Sequence, residues 1–488
     1  MSRIVHLGLG NFHRAHQAVY TQDANSAAHH EWRITAVSFR NRNLVQAMRA
    51  QHGRYTVLEV GPDAAPPREI TVIDKVLLAA DEPEQVVDAI ADPDTTAVTL
   101  TVTEKGYVCR PGSHDLDTTD PAIRRDATLT EPPATALGLM AAGLLRRLDH
   151  GAPLHLVSCD NVGHNGAGLR TVMEQYASLL PSAQSRALLG YLATVGSPDT
   201  MVDRIVPRRT DATRAAVARA GIVDAVPVPA EPFSMWVIDD TFSGPRPAWE
   251  DAGAILSDEV GAYELVKLRL LNAPNSMLAY LGLLTGRTEI ADAASDPAIR
   301  DIADRGLGEE MQPTIDLPTG FDPYAYRDEV FARFLNHELA HTCQQVGSDG
   351  SLKLTQRVPG AVAWHAARGR TPDHLALLAA AWLRVTADAI EIDIPAHDLP
   401  YEPVRDRVAA LTATTRQAGE LAHAVLVDEA MLGHPLTSQT AYVDRVGELL
   451  GALRARPAKE VIASMAVQTA SRAWRGTCLK SRHDEVKE

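Results

Sequence analysis

The sequence predicts two domains: an α/β domain over residues 1–255 and a mostly α-helical domain over residues 256–488. Three observations carry that reading. Short apolar, β-branched strands alternate with helical stretches through the first half, which calls for a parallel sheet with helices on its faces. A glycine turn joins the first strand to the first helix. Beyond about Ala254 the hydrophobic period becomes helical and strand candidates grow few. The length, 488 residues, suits two large domains or three small ones, since domains usually run ~100–200 residues.

The elements follow in order. RIVHLG (3–8) is apolar, β-branched and closed by glycines, so it reads as a short buried strand. After the GLG turn come a helical stretch to about Ala28 and a second strand, RITAVSF (33–39). TVIDKVLL (71–78), AVTLTV (97–102) and LHLVSC (154–159) have strand composition, while 83–91 and 134–149 have helical periodicity. The run SGPRPAWEDAG (243–253), rich in Pro and Gly, marks the junction. Helical periodicity then holds over 258–271, 323–346, 373–390, 404–426 and 440–455, and the charged tail SRHDEVKE reads as frayed.

Composition removes several function classes. Lys and Arg number 47 against 62 Asp and Glu, a net charge of −15, which argues against nucleic-acid and anionic-membrane partners. No apolar run approaches the ~18 residues of a membrane span. The N-terminus enters a strand directly, without a signal-peptide core. Cys109, Cys159, Cys343 and Cys478 form no CxxC pair, so a reduced, cytoplasmic protein without a zinc ribbon is expected. No HExxH, GxSxG or P-loop occurs, and no metal is expected.

The residues that remain point to an anion site and a base. Gly8 and Gly10 let the chain turn tightly and approach a pyrophosphate seated at a helix N-terminus, with Asn11 and Phe12 opening that helix. His13 stands where a full dinucleotide fingerprint has its third glycine. No acidic residue follows the second strand. Arg40, Asn41 and Arg42 do, and arginines there could accept a 2′-phosphate, so NAD and NADP both stay open. Two polar clusters, TEKGY (103–107) and SCDNVGHNG (158–166), stand just after strands, where open α/β sheets bind ligands and where turn chemistry also occurs.

Lysine is scarce: seven residues against forty arginines. Lys267, set among Leu265, Val266, Leu268, Leu270 and Leu271, is therefore a noticeable choice. Desolvation would lower its pKa and make it a base near neutral pH, with Glu264 one turn away; a snorkelling surface lysine is the plain alternative. An α-helix would point Asn272 about 140° away from Lys267. Pro274 is expected to break or kink the helix and bring the amide back, with Asn275 or Ser276 capping the next helix.

GLGNFHRAHQ (8–17), TEKGY, SCDNVGHNG, MVDRIVPR (201–208), KLRLLN (267–272) and DGSLKLTQR (349–357) occur in this order over nearly the whole chain. In this the sequence resembles the polyol-specific long-chain dehydrogenases, which include mannitol 2-dehydrogenases, fructuronate (mannonate) reductases and arabinitol dehydrogenases. The resemblance implies a Rossmann-type N-terminal domain, a helical C-terminal domain and metal-independent hydride transfer with a nicotinamide cofactor, usually NAD. The implied substrate is a polyol or sugar acid. It implies Lys267 as general base, with Asn272 and Asn165 as amides that polarise the reacting oxygen. Asn161, Val202, Asp203, Glu264, Asn275 and Lys353 then fall at substrate positions; Gly8, Gly10, Asn11, Phe12, Arg40, Glu104 and Lys105 fall at cofactor positions.

Two departures bear on the substrate. Asn275 replaces the histidine usual in the family, and Gln345 replaces the arginine that mannitol-type members carry eight residues before the lysine of the DGS motif. The segment around that motif is closer to the fructuronate reductases. A sugar- and NAD-binding regulator, and a sugar-phosphate dehydrogenase, are the competing readings; the second would need a phosphate clamp of arginines that the motifs lack. Nothing in the sequence marks an oligomeric state.

Overall fold

The computed structural model describes residues 2–27, 31–110, 113, 115–415, 417–428, 431 and 439–466; the charged tail and Cys478 lie outside the described residues. Two compact units emerge, Met1–Glu264 and Leu265–Glu488. The first holds β1 (Ser2–Leu7), β2 (Trp32–Ser38), β3 (Tyr55–Glu59), β4 (Arg68–Ile70), β5 (Ile73–Leu78) and β6 (Thr95–Leu100). It continues with β7 (His155–Ser158), β8 (Thr200–Asp203), β9 (Val228–Ala230), β10 (Met235–Ile238) and β11 (Ile255–Leu256).

Five of these form one parallel sheet in the order β5-β2-β1-β6-β7. The chain winds outward from β1 to β5, then returns and winds the other way from β6 to β7. The reversal falls between β1 and β6, and their carboxyl ends are the place where such sheets bind ligands. Both faces are covered, which is why the strands read as nearly continuous apolar runs. Val5, Leu7, Val98 and Leu100 face one core with Val86, Val87 and Ile90 of helix Pro83–Ala91. Ile4, Ile34, Ala36, Ala97 and Val157 face the other, with Trp236 and Trp249. Smaller sheets, β4-β3-β9 and β11-β10-β8, stand beside the main one.

Strand ends differ from the pattern reading for physical reasons. The strand expected over 97–102 spans Thr95–Leu100. Its continuation is diverted because the Val102 and Thr103 N–H groups donate to the Asp160 carboxylate (3.0 and 2.9 Å) rather than to a neighbouring strand.

The second unit is helical. Helices Ala273–Leu284 and Asp373–Ala387 are buried nearly all round and form its core. The N-terminus of Asp373–Ala387 is closed by buried Glu310, which accepts from the His374 and Leu375 N–H groups (3.0 and 2.9 Å). The helix is disturbed before Pro274 as expected, but it is not broken there. Residues Lys267–Asn272 instead form a π-helix that runs straight into Ala273–Leu284, and Asn275 lies inside that helix rather than capping it. Proline lacks an N–H and its ring crowds the carbonyl four residues back. A widened turn just before it removes both difficulties. Gly306–Met311, the other π-helix, likewise ends two residues before a proline, Pro313.

Gly8 has φ +112°, and a Cβ there would lie 2.2 Å from the Thr101 carbonyl oxygen. Gly8→Ala is therefore expected to cost at least ~2 kcal/mol and lower Tm by about 5 °C or more. Thermal melts of the two proteins check this, and an unchanged Tm would contradict the close approach.

Candidate active site

The carboxyl ends of β1, β6 and β7 carry the first group of site residues. Gly8 follows β1, and its N–H donates to the Val37 carbonyl (2.9 Å). Its own carbonyl accepts from Thr101 Oγ1 (2.8 Å), which locks the turn to the end of β6. Gly10 precedes helix Asn11–Ala15, with an ordinary negative φ. A Cβ at Gly10 would meet nothing closer than the Gly8 carbonyl at 3.6 Å. The protein's own packing thus explains the first glycine and not the second; room for an incoming group explains Gly10. A dinucleotide pyrophosphate fits this turn, with free backbone N–H groups opening the helix.

The side chains of Asn11 and Phe12 are engaged within the chain. Asn11 Oδ1 accepts from Arg14 (2.7 Å), and the Phe12 ring stacks on His16 at 4.9 Å. Their backbone is what the turn can offer. Arg14, which pattern reading passed over, is buried behind the turn and also donates to the Gly10 and Val226 carbonyls (3.3 and 2.6 Å). Burial lowers its pKa to about 10, so it stays charged at neutral pH.

His13, in place of the third glycine, is fully buried and lies flat against His6, ring centroids 3.4 Å apart. Where a glycine lets helix and strand pack closely, here two stacked imidazoles fill the gap. His6 bonds Thr99 Oγ1 (2.8 Å) and Thr101 Oγ1 (2.9 Å), so it braces β6 as well.

Beyond β2, Arg42 pairs with Asp81 and Asn41 caps helix Arg42–Ala50. Arg40 is exposed, and its side chain makes no hydrogen bond or ion pair among the described residues. Glu104 and Lys105 stand exposed on a 3₁₀ turn, Glu104–Tyr107, after β6.

The turn after β7 carries exposed Asn161 and buried Asn165. The Asn165 amide is committed within the chain. Nδ2 donates to the Asp160 and Thr200 carbonyls (3.0 and 2.9 Å), and Oδ1 accepts from the Thr200 N–H (2.8 Å). The side chain ties the turn to β8, which is positioning work. Helix Asn165–Leu179 is capped by Asp199, whose Oδ1 accepts from the Gly166 and Ala167 N–H groups (2.8 and 2.9 Å). Glu264 reaches the same turn and accepts from the His164 N–H (3.0 Å). On β8, Val202 packs in the hydrophobic core, and Asp203 is buried beside it.

In the second unit Lys267 is buried and opens the π-helix, and Asn272 closes it. The bond step of a π-helix is i→i+5, made here by the Ala273 N–H to the Leu268 carbonyl, so residue 272 stands one turn above residue 267 on the same side. The Asn272 amide makes no hydrogen bond among the described residues. Its carbonyl accepts from Arg357 (2.8 Å), which also donates to Ser276 Oγ. One turn further on, Asn275 Oδ1 is buried with no partner among the described residues. Lys353, one helical turn before Arg357, donates to the Val346 carbonyl (3.0 Å), and burial with the nearby Arg357 lowers its pKa to about 8. His341, which pattern reading also missed, is lowered to about 4 by burial and by Lys353 and Arg333. Gln345 is exposed, with its N–H capped by Thr342.

Comparison with known proteins agrees with this geometry. Residues 2–251 match the family model described as the mannitol dehydrogenase Rossmann domain, and residues 259–453 match its C-terminal domain. The chain is 38% identical over 397 residues to the D-mannonate oxidoreductase of Escherichia coli, covering 79% of this chain and 80% of that protein. It is 39% identical over 389 residues to a D-arabinitol 4-dehydrogenase of Ralstonia nicotianae, covering 78% and 82%. Among solved structures, the mannitol 2-dehydrogenase of Pseudomonas fluorescens, in ternary complex with NAD and D-mannitol, is similar. It has a TM-score of 0.80 and 29% identity, covering 95% of this chain and 94% of that one.

Burial lowers the His6 pKa to about 3 from an ordinary 6.5, and burial together with the neighbouring His6 also holds His13 well below its ordinary value. Between those values the unfolded chain takes up protons that the folded chain refuses. Stability is therefore full above pH 6.5 and falls as pH drops toward about 3, by up to ~1.4 kcal/mol per pH unit for each histidine. Urea unfolding between pH 7 and 4.5 is expected to show this slope, and His6→Asn to reduce it by about one proton. Equal slopes in the two proteins would contradict the assignment.

Proposed function

The chain belongs to the mannitol dehydrogenase family, and from that premise we propose how its residues divide the work. The protein is a metal-independent, NAD-dependent oxidoreductase that interconverts a sugar alcohol or aldonate with its ketose or keturonate. We assign dinucleotide binding to residues 1–255, substrate binding and proton transfer to residues 256–488, and a cytoplasmic location to the whole. Three free cysteines, Cys109, Cys159 and Cys343, accord with a reducing compartment.

The observation that carries the reading is the π-helix of Lys267 and Asn272. Oxidising a secondary alcohol requires a base for the hydroxyl proton and a donor for the negative charge that builds on oxygen. A lysine and an uncommitted amide on one side of a helix supply the two. In the oxidising direction the neutral Lys267 amine takes the proton; in the reducing direction its ammonium returns it to the carbonyl oxygen. Asn272 donates to that oxygen throughout, and Arg357, bonded to the Asn272 carbonyl, fixes the turn that presents it. Lys353 and Asn275 contact the remaining hydroxyls or the acid group. Asn165 holds the turn after β7 to β8. A nicotinamide dinucleotide, when bound, supplies the hydride acceptor for oxidation and the donor for reduction. Gly8, Gly10 and the backbone of Asn11 would hold its pyrophosphate, and we assign Arg40 to the adenosine end.

The decisive assay follows NADH and NADPH absorbance with fructose, fructuronate, tagaturonate and xylulose. Lys267→Ala is expected to lower kcat by ~10²–10⁴ while leaving NADH binding intact. A variant that keeps more than about a tenth of the activity removes Lys267 as the base. Gly10→Val, which the fold has room for, should raise the cofactor KM about tenfold or more with unchanged Tm. An unaltered cofactor titration in that folded variant would move the dinucleotide away from this turn.

A further inference from the structure

We propose that Asp160 is a positioning residue for the dinucleotide, holding the strained segment Val102–Val108 in the shape that presents Thr103, Glu104 and Lys105 at the carboxyl end of β6. This rests on the reading that the dinucleotide binds at the β1–β6 reversal. The segment is unusual in its backbone. Thr103 has φ +63° and ψ 165°, a region that side-chain-bearing residues seldom enter. Val108, a β-branched residue, takes the left-handed conformation at φ +52°. Between them the chain folds back so sharply that a Cβ on Gly106 would lie 2.5 Å from Val102 Cβ. Two such residues within six persist only where surrounding bonds over-determine them.

Asp160 supplies those bonds. Its Oδ1 accepts from the Thr103 N–H (2.9 Å), while Oδ2 accepts from the Val102 N–H (3.0 Å) and the Tyr107 hydroxyl (2.8 Å). Tyr107 also meets Ser158 Oγ at 2.6 Å. The carboxylate is buried, and burial pushes its pKa up while the three donors pull the other way. Asp160 thus grips both ends of the segment from the turn after β7.

The grip reaches the glycine turn. Thr101, the residue before the segment, bonds the Gly8 carbonyl, and its own carbonyl fills the space a Gly8 side chain would need. The outward side is left uncommitted: the Glu104 and Lys105 side chains make no hydrogen bond or ion pair among the described residues. A loop needed only to connect β6 to the next helix has no use for a strained backbone. One that must hold a fixed shape against a ligand does.

NADH fluorescence titration and steady-state kinetics of the full chain test this with Asp160→Asn and Tyr107→Phe. Asp160→Asn should raise the NADH Kd and cofactor KM about tenfold or more, with kcat at saturating cofactor and the second substrate's KM within about twofold. Tyr107→Phe, which keeps both backbone bonds, should raise the same two constants about two- to threefold and carries the test should Asp160→Asn not fold. Unchanged NADH binding in the folded variants overturns the proposal. So does a joint change of kcat and both KM values, which marks a general structural role. Failure of the wild-type protein to bind NADH would instead remove the functional reading beneath it.

Discussion

The contact on which the rest of the first unit turns is the approach of Gly8 to Thr101. A doubly wound sheet must reverse its direction between two adjacent strands, and here the last residues of β1 and β6 leave the ladder side by side. At that point the Thr101 carbonyl occupies the volume of a side chain at residue 8, and the Thr101 hydroxyl closes on the Gly8 carbonyl. Every later feature inherits this geometry. The helix after Gly10 starts where it does because the turn is pinned there. The segment after Thr101 must leave in a direction that Asp160 then fixes, and His6 braces both strands with one ring.

Much of this was legible in the sequence, because strand composition and glycine spacing report local constraints. Helix Pro83–Ala91 has the bounds its periodicity predicts, and the GLG turn sits between β1 and the first helix. What was illegible depends on where polar groups spend their hydrogen bonds. An asparagine in a turn looks the same on paper whether its amide faces a substrate or, as with Asn165, three groups of its own chain. Val202 looks like a pocket residue until β8 places it in the core. Arg14 and Asp160 were invisible as organisers because most of their partners are backbone atoms, which no sequence motif spells out.

The π-helix shows how a correct rule can yield the wrong structure. Proline does exclude the regular α-helical bond, and a break before Pro274 is the simplest response. The chain uses another, adding one residue to the turn and keeping the helix whole. Either response would bring Asn272 round toward Lys267. Only the continuous one holds both residues on a rigid support, and precise placement is what proton transfer and oxyanion stabilisation need.

Charge at the glycine turn follows the same economy. His6 and His13 touch face to face, and in so dry a setting neither takes a proton at neutral pH. The positive charge is left to Arg14, whose donors reach the Gly10 and Val226 carbonyls and Asn11 Oδ1 rather than a carboxylate. Asp224, a carboxylate that acts on it electrostatically, itself accepts from the Thr56 and Val226 N–H groups. A buried cation that is hydrogen-bonded but not ion-paired keeps much of its field, because the interior screens it less than water would. That field adds to the helix N-terminus in favouring an anion at the turn. Where the dinucleotide fingerprint has its third glycine, the histidine fills the gap between helix and strand, and the arginine beside it supplies the charge.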